Sequence, residues 1–175
     1  VKTQFMLGDI YINGKEGIEK NLDKATQWYE KSAKENDYIS QFKIASKYYE
    51  INAKNKYNEW LDKFINNLNK LLENNDPQAQ LNLGLLILNR YSVDFSNFMK
   101  AYIKDYNEKY LISDYYINRE VLRDIINKII PNQDNLDKYA IDLIKKSVNQ
   151  NHKDSQIVLI NLYNNFNFFN GNYYD

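Results

Sequence analysis

Leu7-Gly8-Asp9-Ile10-Tyr11-Ile12-Asn13-Gly14-Lys15-Glu16-Gly17-Ile18 leads through Asp23-Lys24-Ala25-Thr26-Gln27-Trp28-Tyr29-Glu30-Lys31-Ser32-Ala33 to Ser40-Gln41, and these residues decide the fold. Leu7, Gly8 and Tyr11 follow Gln4 by three, four and seven residues, a spacing that places all four on one helix face. Ala25, Trp28, Tyr29 and Ala33 repeat that geometry in the next segment. Gly14 and Gly17 fall between the two patterns, where a turn needs backbone conformations that other residues resist. The stretch therefore predicts a helix, a glycine turn and a second helix. The small residues Gly8 and Ala25 lie where two helices approach closely.

The same pattern recurs along the chain. Gln4, Gln41, Gln80 and Gln156 are separated by 37, 39 and 76 residues, and 76 is twice 38. Each Gln is followed three residues later by Leu7, Ile44, Leu83 or Leu159. The next position holds Gly8, Ala45, Gly84 or Ile160, and seven after the Gln stands Tyr11, Tyr48, Ile87 or Tyr163. Lys31-Ser32-Ala33-Lys34-Glu35-Asn36 with Ser40-Gln41 matches Lys146-Ser147-Val148-Asn149-Gln150-Asn151 with Ser155-Gln156 at a constant offset of 115. A period of about 38 residues implies a stack of two-helix units, because one amphipathic pair cannot bury its own apolar faces. The expected fold class is all-α, an α/α solenoid of antiparallel helix pairs forming one domain over 1–175. Its units fall at approximately 2–37, 38–76, 77–114, 115–152 and a partial 153–175, about four and a half in all.

Other segments read as helices with one apolar stripe. These are 22–35, 57–74 (Trp60, Leu61, Phe64, Ile65, Leu68), 94–112 (Phe95, Phe98, Met99, Tyr102, Tyr106, Tyr110), 115–130 (Val121, Leu122, Ile125, Ile126, stopped by Pro131) and 136–150 (Ala140, Leu143, Ile144, Val148). The glycine turn is absent from the second unit, and 89–134 fits the pattern poorly, so irregular geometry is expected there.

The first unit resembles the Sel-one-like repeat (SLR) family over 2–41. The resemblance is carried by Leu7-Gly8, Tyr11, Gly14, Gly17-Ile18, Asp23, Lys24-Ala25, Trp28-Tyr29, Lys31-Ser32-Ala33 and Ser40-Gln41. It implies a helix–turn–helix unit related to the tetratricopeptide repeat, lengthened by the two-glycine turn. It also implies a role in protein–protein interaction: a scaffold or adaptor, with a recognition or regulatory module of a larger enzyme or secreted effector as the alternative.

Composition narrows the rest. Lys and Arg total 23 and Asp and Glu total 23, so the basic surplus that phosphate neutralisation calls for is missing. This argues against nucleic acid as a partner. No segment has the apolar length of a membrane span. With no cysteine, disulfides and thiolate metal sites are excluded. Abundant Asn, Lys, Ile and Tyr fit an AT-rich coding bias. His152, the only histidine, aligns with Asp37 in a turn and reads as a solvated loop residue; Asp23 reads as a helix N-cap, and Asp105 with Glu108 as a solvated helix face. No catalytic constellation emerges, so the chain is read as non-enzymatic and without a cofactor. It opens in a first helix and stops at Asp175, which aligns with Asp23 where a second helix would begin, so a longer array or a further domain is expected. Phe166, Phe168, Phe169, Tyr173 and Tyr174 folding back as a cap is the competing reading.

By the tetratricopeptide arrangement that the resemblance implies, the first helix of each unit lines a concave groove. With the Leu, Gly and Tyr columns assigned to the core, the groove column comprises Asp9 and Asn13, Ser46 and Glu50, Leu85 and Asn89, and Asn161 and Asn165. Ile12, Tyr49, Leu88 and Asn164 flank it. Asparagine amides that donate and accept, beside Tyr49 and Leu88 as apolar anchors, suit an extended peptide. Asp9 and Glu50 favour a slightly basic one.

Overall fold

The computed structural model of the chain describes residues 2–14, 17–88, 118–131 and 134–165. The regular structure among them is eight α-helices and no strand: α1 (Lys2–Asn13), α2 (Leu22–Lys34), α3 (Tyr38–Glu50), α4 (Lys54–Glu73), α5 (Pro77–Leu88), α6 (Arg119–Ile129), α7 (Leu136–Asn149) and α8 (Lys153–Asn165). Helices pack pairwise in the manner of a helical-repeat protein, α1 on α2, α2 on α3 and α7 on α8, while α5 packs chiefly on α7. The chain divides into two compact units, Val1–Lys70 and Leu71–Asp175. The expected helix at 94–112, with Asp105 and Glu108, lies outside the described residues. So do Asn89 and the aromatic residues from Phe166 onward.

The turns show why the sequence makes short helices in pairs. After α1 the chain turns through Gly14 and Gly17 at φ of 66° and 78°. Asn21 then caps α2, its side chain accepting from the Lys24 amide at 2.9 Å. Asp23, expected as the cap, instead sits in the first turn, where its charge complements the helix dipole. The other turns follow a second rule: α2, α3, α4 and α7 are each followed by an asparagine in the left-handed region, Asn36, Asn52, Asn75 and Asn151, with φ from 55° to 65°. Asparagine tolerates that conformation better than other residues with a side chain. At these four sites the asparagine abundance has a conformational role beyond coding bias.

In the N-terminal unit the core gathers Phe5, Ile39, Phe42, Ile44, Leu61, Phe64 and Leu68, all nearly fully buried. The Phe42 and Phe64 rings meet at 5.5 Å. Ala25 is 1% exposed and Gly8 is buried, as their small size led one to expect. A Cβ on Gly8 would come within 2.5 Å of the Tyr29 ring, so the α1–α2 approach requires glycine. In the C-terminal unit, α5 is buried on every side from Ala79 to Leu88, which accounts for its unbroken apolar run, Leu83-Gly84-Leu85-Leu86-Ile87-Leu88. A Cβ on Gly84 would lie 2.8 Å from Ile144 Cγ1 and 2.9 Å from the Ala140 carbonyl oxygen, again on the partner helix. The α6 helix presents Val121, Leu122 and Ile125 to the interior and ends at Ile129, just before Pro131.

Candidate functional site

The residues expected to line a groove in the N-terminal unit lie on α1 and α3, and a charged cluster joins those helices to α2. Asp9 Oδ1 accepts from the Tyr29 hydroxyl at 2.6 Å and from the Lys43 ammonium, which also donates to the Tyr29 oxygen at 3.1 Å. The ammonium is 4.1 Å from the Phe5 ring centre and 4.6 Å from that of Tyr29. The Lys43 side chain is 5% exposed and that of Asp9 26%. A buried ammonium persists only where a counter-charge and hydrogen bonds replace water, and this cage supplies both, with aromatic faces besides. Asp9 therefore works inside the unit. Its charge is matched by Lys43, and it does not give the lining the acidic character its sequence position suggested.

The rest of the expected lining is unevenly placed. Asn13 is exposed at the end of α1, its amide donating to the Asp9 carbonyl oxygen at 2.9 Å. Ser46 lies one turn beyond Lys43 on α3, half-buried, its hydroxyl oxygen without a hydrogen-bond partner. Tyr49 is half-buried and held edge-on against Tyr57, with ring centres 5.2 Å apart. Glu50 is exposed, its carboxylate 3.4 Å from the Lys47 ammonium, and Ile12 is half-buried. On the opposite side of α3, the Tyr48 hydroxyl donates to Glu30 at 2.7 Å. Burial first, then that acceptor, pushes the Tyr48 phenol up to about 12.

In the C-terminal unit, Leu85 and Leu88 are 0% and 5% exposed, so neither offers an anchor on the surface. Asn161 is half-buried and Asn164 exposed on α8; the side chain of Asn165 is not among those described. Leu85 falls in the expected groove column by its spacing alone. Its place in an uninterrupted apolar run marks it as a core residue.

The turns before α3 and α8 carry further polar clusters. Asp37 Oδ2 accepts from both Ser32 and Ser40. At the equivalent turn, His152 is half-buried, with Nδ1 2.8 Å from Ser155 Oγ, which lies 2.6 Å from Ser147 Oγ. Ser147 donates to the Pro77 carbonyl oxygen at 2.6 Å. Its one proton is thereby committed, so Ser155 donates to Ser147 and His152 Nδ1 donates to Ser155. The imidazole cannot take a proton from Ser155 in this arrangement, and both serines are fully buried. The group is a turn brace, not a nucleophile and base, and His152 is not the solvated residue expected from the sequence. Among the described residues, no group of three or more His, Cys, Asp or Glu side chains is arranged to hold a metal ion, and no helix is long and apolar enough to cross a membrane.

Residues 1–37, the α1–α2 pair with its turns, match the family model of the Sel1 repeat. No curated protein and no solved structure matches the chain.

Proposed function

We propose that this chain, whose first 37 residues are a Sel1 repeat, is a scaffold or adaptor that binds a peptide or protein segment along the first helices of its repeats. Sel1 repeats are in general protein-interaction modules and typically non-catalytic. The observation that carries the reading is the repeat itself, folded as the α1–α2 pair. Support for the face comes from Asn13, Tyr49 and Glu50. They remain exposed or half-exposed on α1 and α3, while the Leu, Gly and Tyr columns beside them are largely covered. Tyr49 is an aromatic anchor already held by Tyr57, so little rotamer entropy is lost when a ligand covers it. Lys47 and Glu50 put both signs of charge on the rim, which suits a polar peptide better than a polyanion.

Affinity capture from the native cell would supply a partner, and calorimetry would compare its binding to the chain and to an Asn13→Ala/Tyr49→Ala/Glu50→Ala variant. A loss of tenfold or more at unchanged helicity is expected. Wild-type affinity with wild-type helicity would refute the face. The alternative, a recognition module within a larger enzyme or effector, uses the same face on a partner domain.

A further inference from the structure

We propose that α5 and α7 are the two halves of a single repeat, interrupted at its internal turn by residues 90–134. On this reading the 76 residues between Gln80 and Gln156 are one interrupted unit, where a regular 38-residue period would place two.

Four equivalences with the α1–α2 repeat carry the inference, three of them in one register and the helix opening one residue out of it. First, Gly8 faces Tyr29 and Gly84 faces Ile144; Gly84 is Gly8 moved by 76, and Ile144 is Tyr29 moved by 115. Second, Gln4 Nε2 donates to Glu35 at 3.2 Å, while Gln80 Oε1 accepts from Gln150 at 2.9 Å, and the residues are again related by 76 and 115. Third, the second helix opens identically in both. Asn21-Leu22-Asp23-Lys24 and Asn135-Leu136-Asp137-Lys138 are the same four residues, and in each the asparagine side chain accepts from the lysine amide, at 2.9 and 3.0 Å. One additional residue in α7 brings Ala25 and Ala140 into register. Fourth, both second helices run through a left-handed asparagine, Asn36 or Asn151, into the first helix of the next unit.

What differs is the turn. Between Asn13 and Asn21 the first repeat has residues 14–20; between Asn89 and Asn135 the third has 90–134, including α6, which packs on α5. The groove column changes accordingly. Asp9 and Ser46 are partly open polar residues on α1 and α3, whereas the same column on α5 holds Leu85 at 0% exposure. The first helices of the repeats are then α1, α3, α5 and α8. In α8 the column that buries Ala45 at 0% leaves Ile160 58% exposed, as befits a first helix with no second helix among the described residues.

The competing register, with units at 77–114 and 115–152, places the second helix of α5 before residue 115 and makes α6 a first helix. Excision distinguishes the two. Residues 90–134 are replaced by the Gly-Lys-Glu-Gly-Ile-Glu-Lys turn of the first repeat. Leu85→Ser restores the polar character that the column has on α1 and α3. The excised variant is expected to keep the full chain's helicity per residue by circular dichroism and to melt cooperatively. Loss of the α5, α7 and α8 helical signal, with the tryptophan emission of the N-terminal unit unchanged, would overturn the proposal.

Discussion

Neutralising one end of the Asp9–Lys43 pair should cost far more than neutralising the other. Asp9→Asn takes the carboxylate away from the Lys43 ammonium, which is 5% exposed and keeps the Tyr29 oxygen and two ring faces. Removing one partner of a buried pair costs about 3–5 kcal/mol. Asp9 is a quarter exposed and the rings retain part of the cation's stabilisation, so the low end, about 3 kcal/mol, is expected. Lys43→Met removes the buried cation instead. The remaining carboxylate keeps the Tyr29 hydroxyl and reaches water, and methionine already occupies this column at Met6 on α1. Its cost should be about 1 kcal/mol or less, since apolar replacement of a buried charge is often neutral. The double variant should then be more stable than Asp9→Asn alone, with a coupling of about 2 kcal/mol. The assay is urea unfolding followed by tryptophan emission. Trp28 and Trp60 are the only tryptophans and both lie in the Val1–Lys70 unit, so the signal reports that unit. With a slope of about 1 kcal/mol/M for so small a unit, the Asp9→Asn midpoint should fall by about 3 M, or the unit should be unfolded from the start. Equal losses in the two single variants, or strict additivity, would refute the account of Lys43 as a caged cation.

Three further outcomes follow from the packing and the turns. Gly84→Ala should cost about 1–3 kcal/mol, because the Ala140 carbonyl at 2.9 Å is backbone and cannot move aside, and Ala25→Leu should overpack by a similar amount; an unchanged thermal melt for either would show the helix crossing to be wrongly described. His152→Asp should raise the stability of the C-terminal unit by about 1 kcal/mol by supplying the carboxylate that Asp37 gives its own serines, read as a rise in the far-ultraviolet melting midpoint; a fall would refute the brace. The Tyr48 phenol is pushed up to about 12 in the folded chain from an ordinary 10.0, so its contribution is complete below pH 10 and is lost as pH rises toward 12. Tyr48→Phe should make the N-terminal unit less sensitive to that alkaline range, and identical pH profiles for variant and parent would contradict the assignment.

Much of the architecture was legible in the residues because it rests on local chemistry. Glutamine, aliphatic, small and aromatic columns at three, four and seven residues specify helices and the face each buries, and Gly14 with Gly17 marks a turn that only positive φ can make. The all-helical repeat class, the burial of Gly8 and Ala25, and the Sel1 character of residues 1–37 all come from that periodicity. Contacts between distant positions could not be read this way, because one column holds different chemistry in different helices. Asp9 looks like a free groove acid until the fold brings Lys43, thirty-four residues later, against it. Leu85 shares its column yet is sealed inside α5's surroundings. Spacing alone reads 76 residues as two periods of 38, and a period carries no information about which helix packs on which. Only the tertiary structure, by setting Gly84 against Ile144 and Gln80 against Gln150, decided that α5 packs on a helix that begins after residue 135, because close packing selects the surfaces that fit irrespective of the length of chain between them.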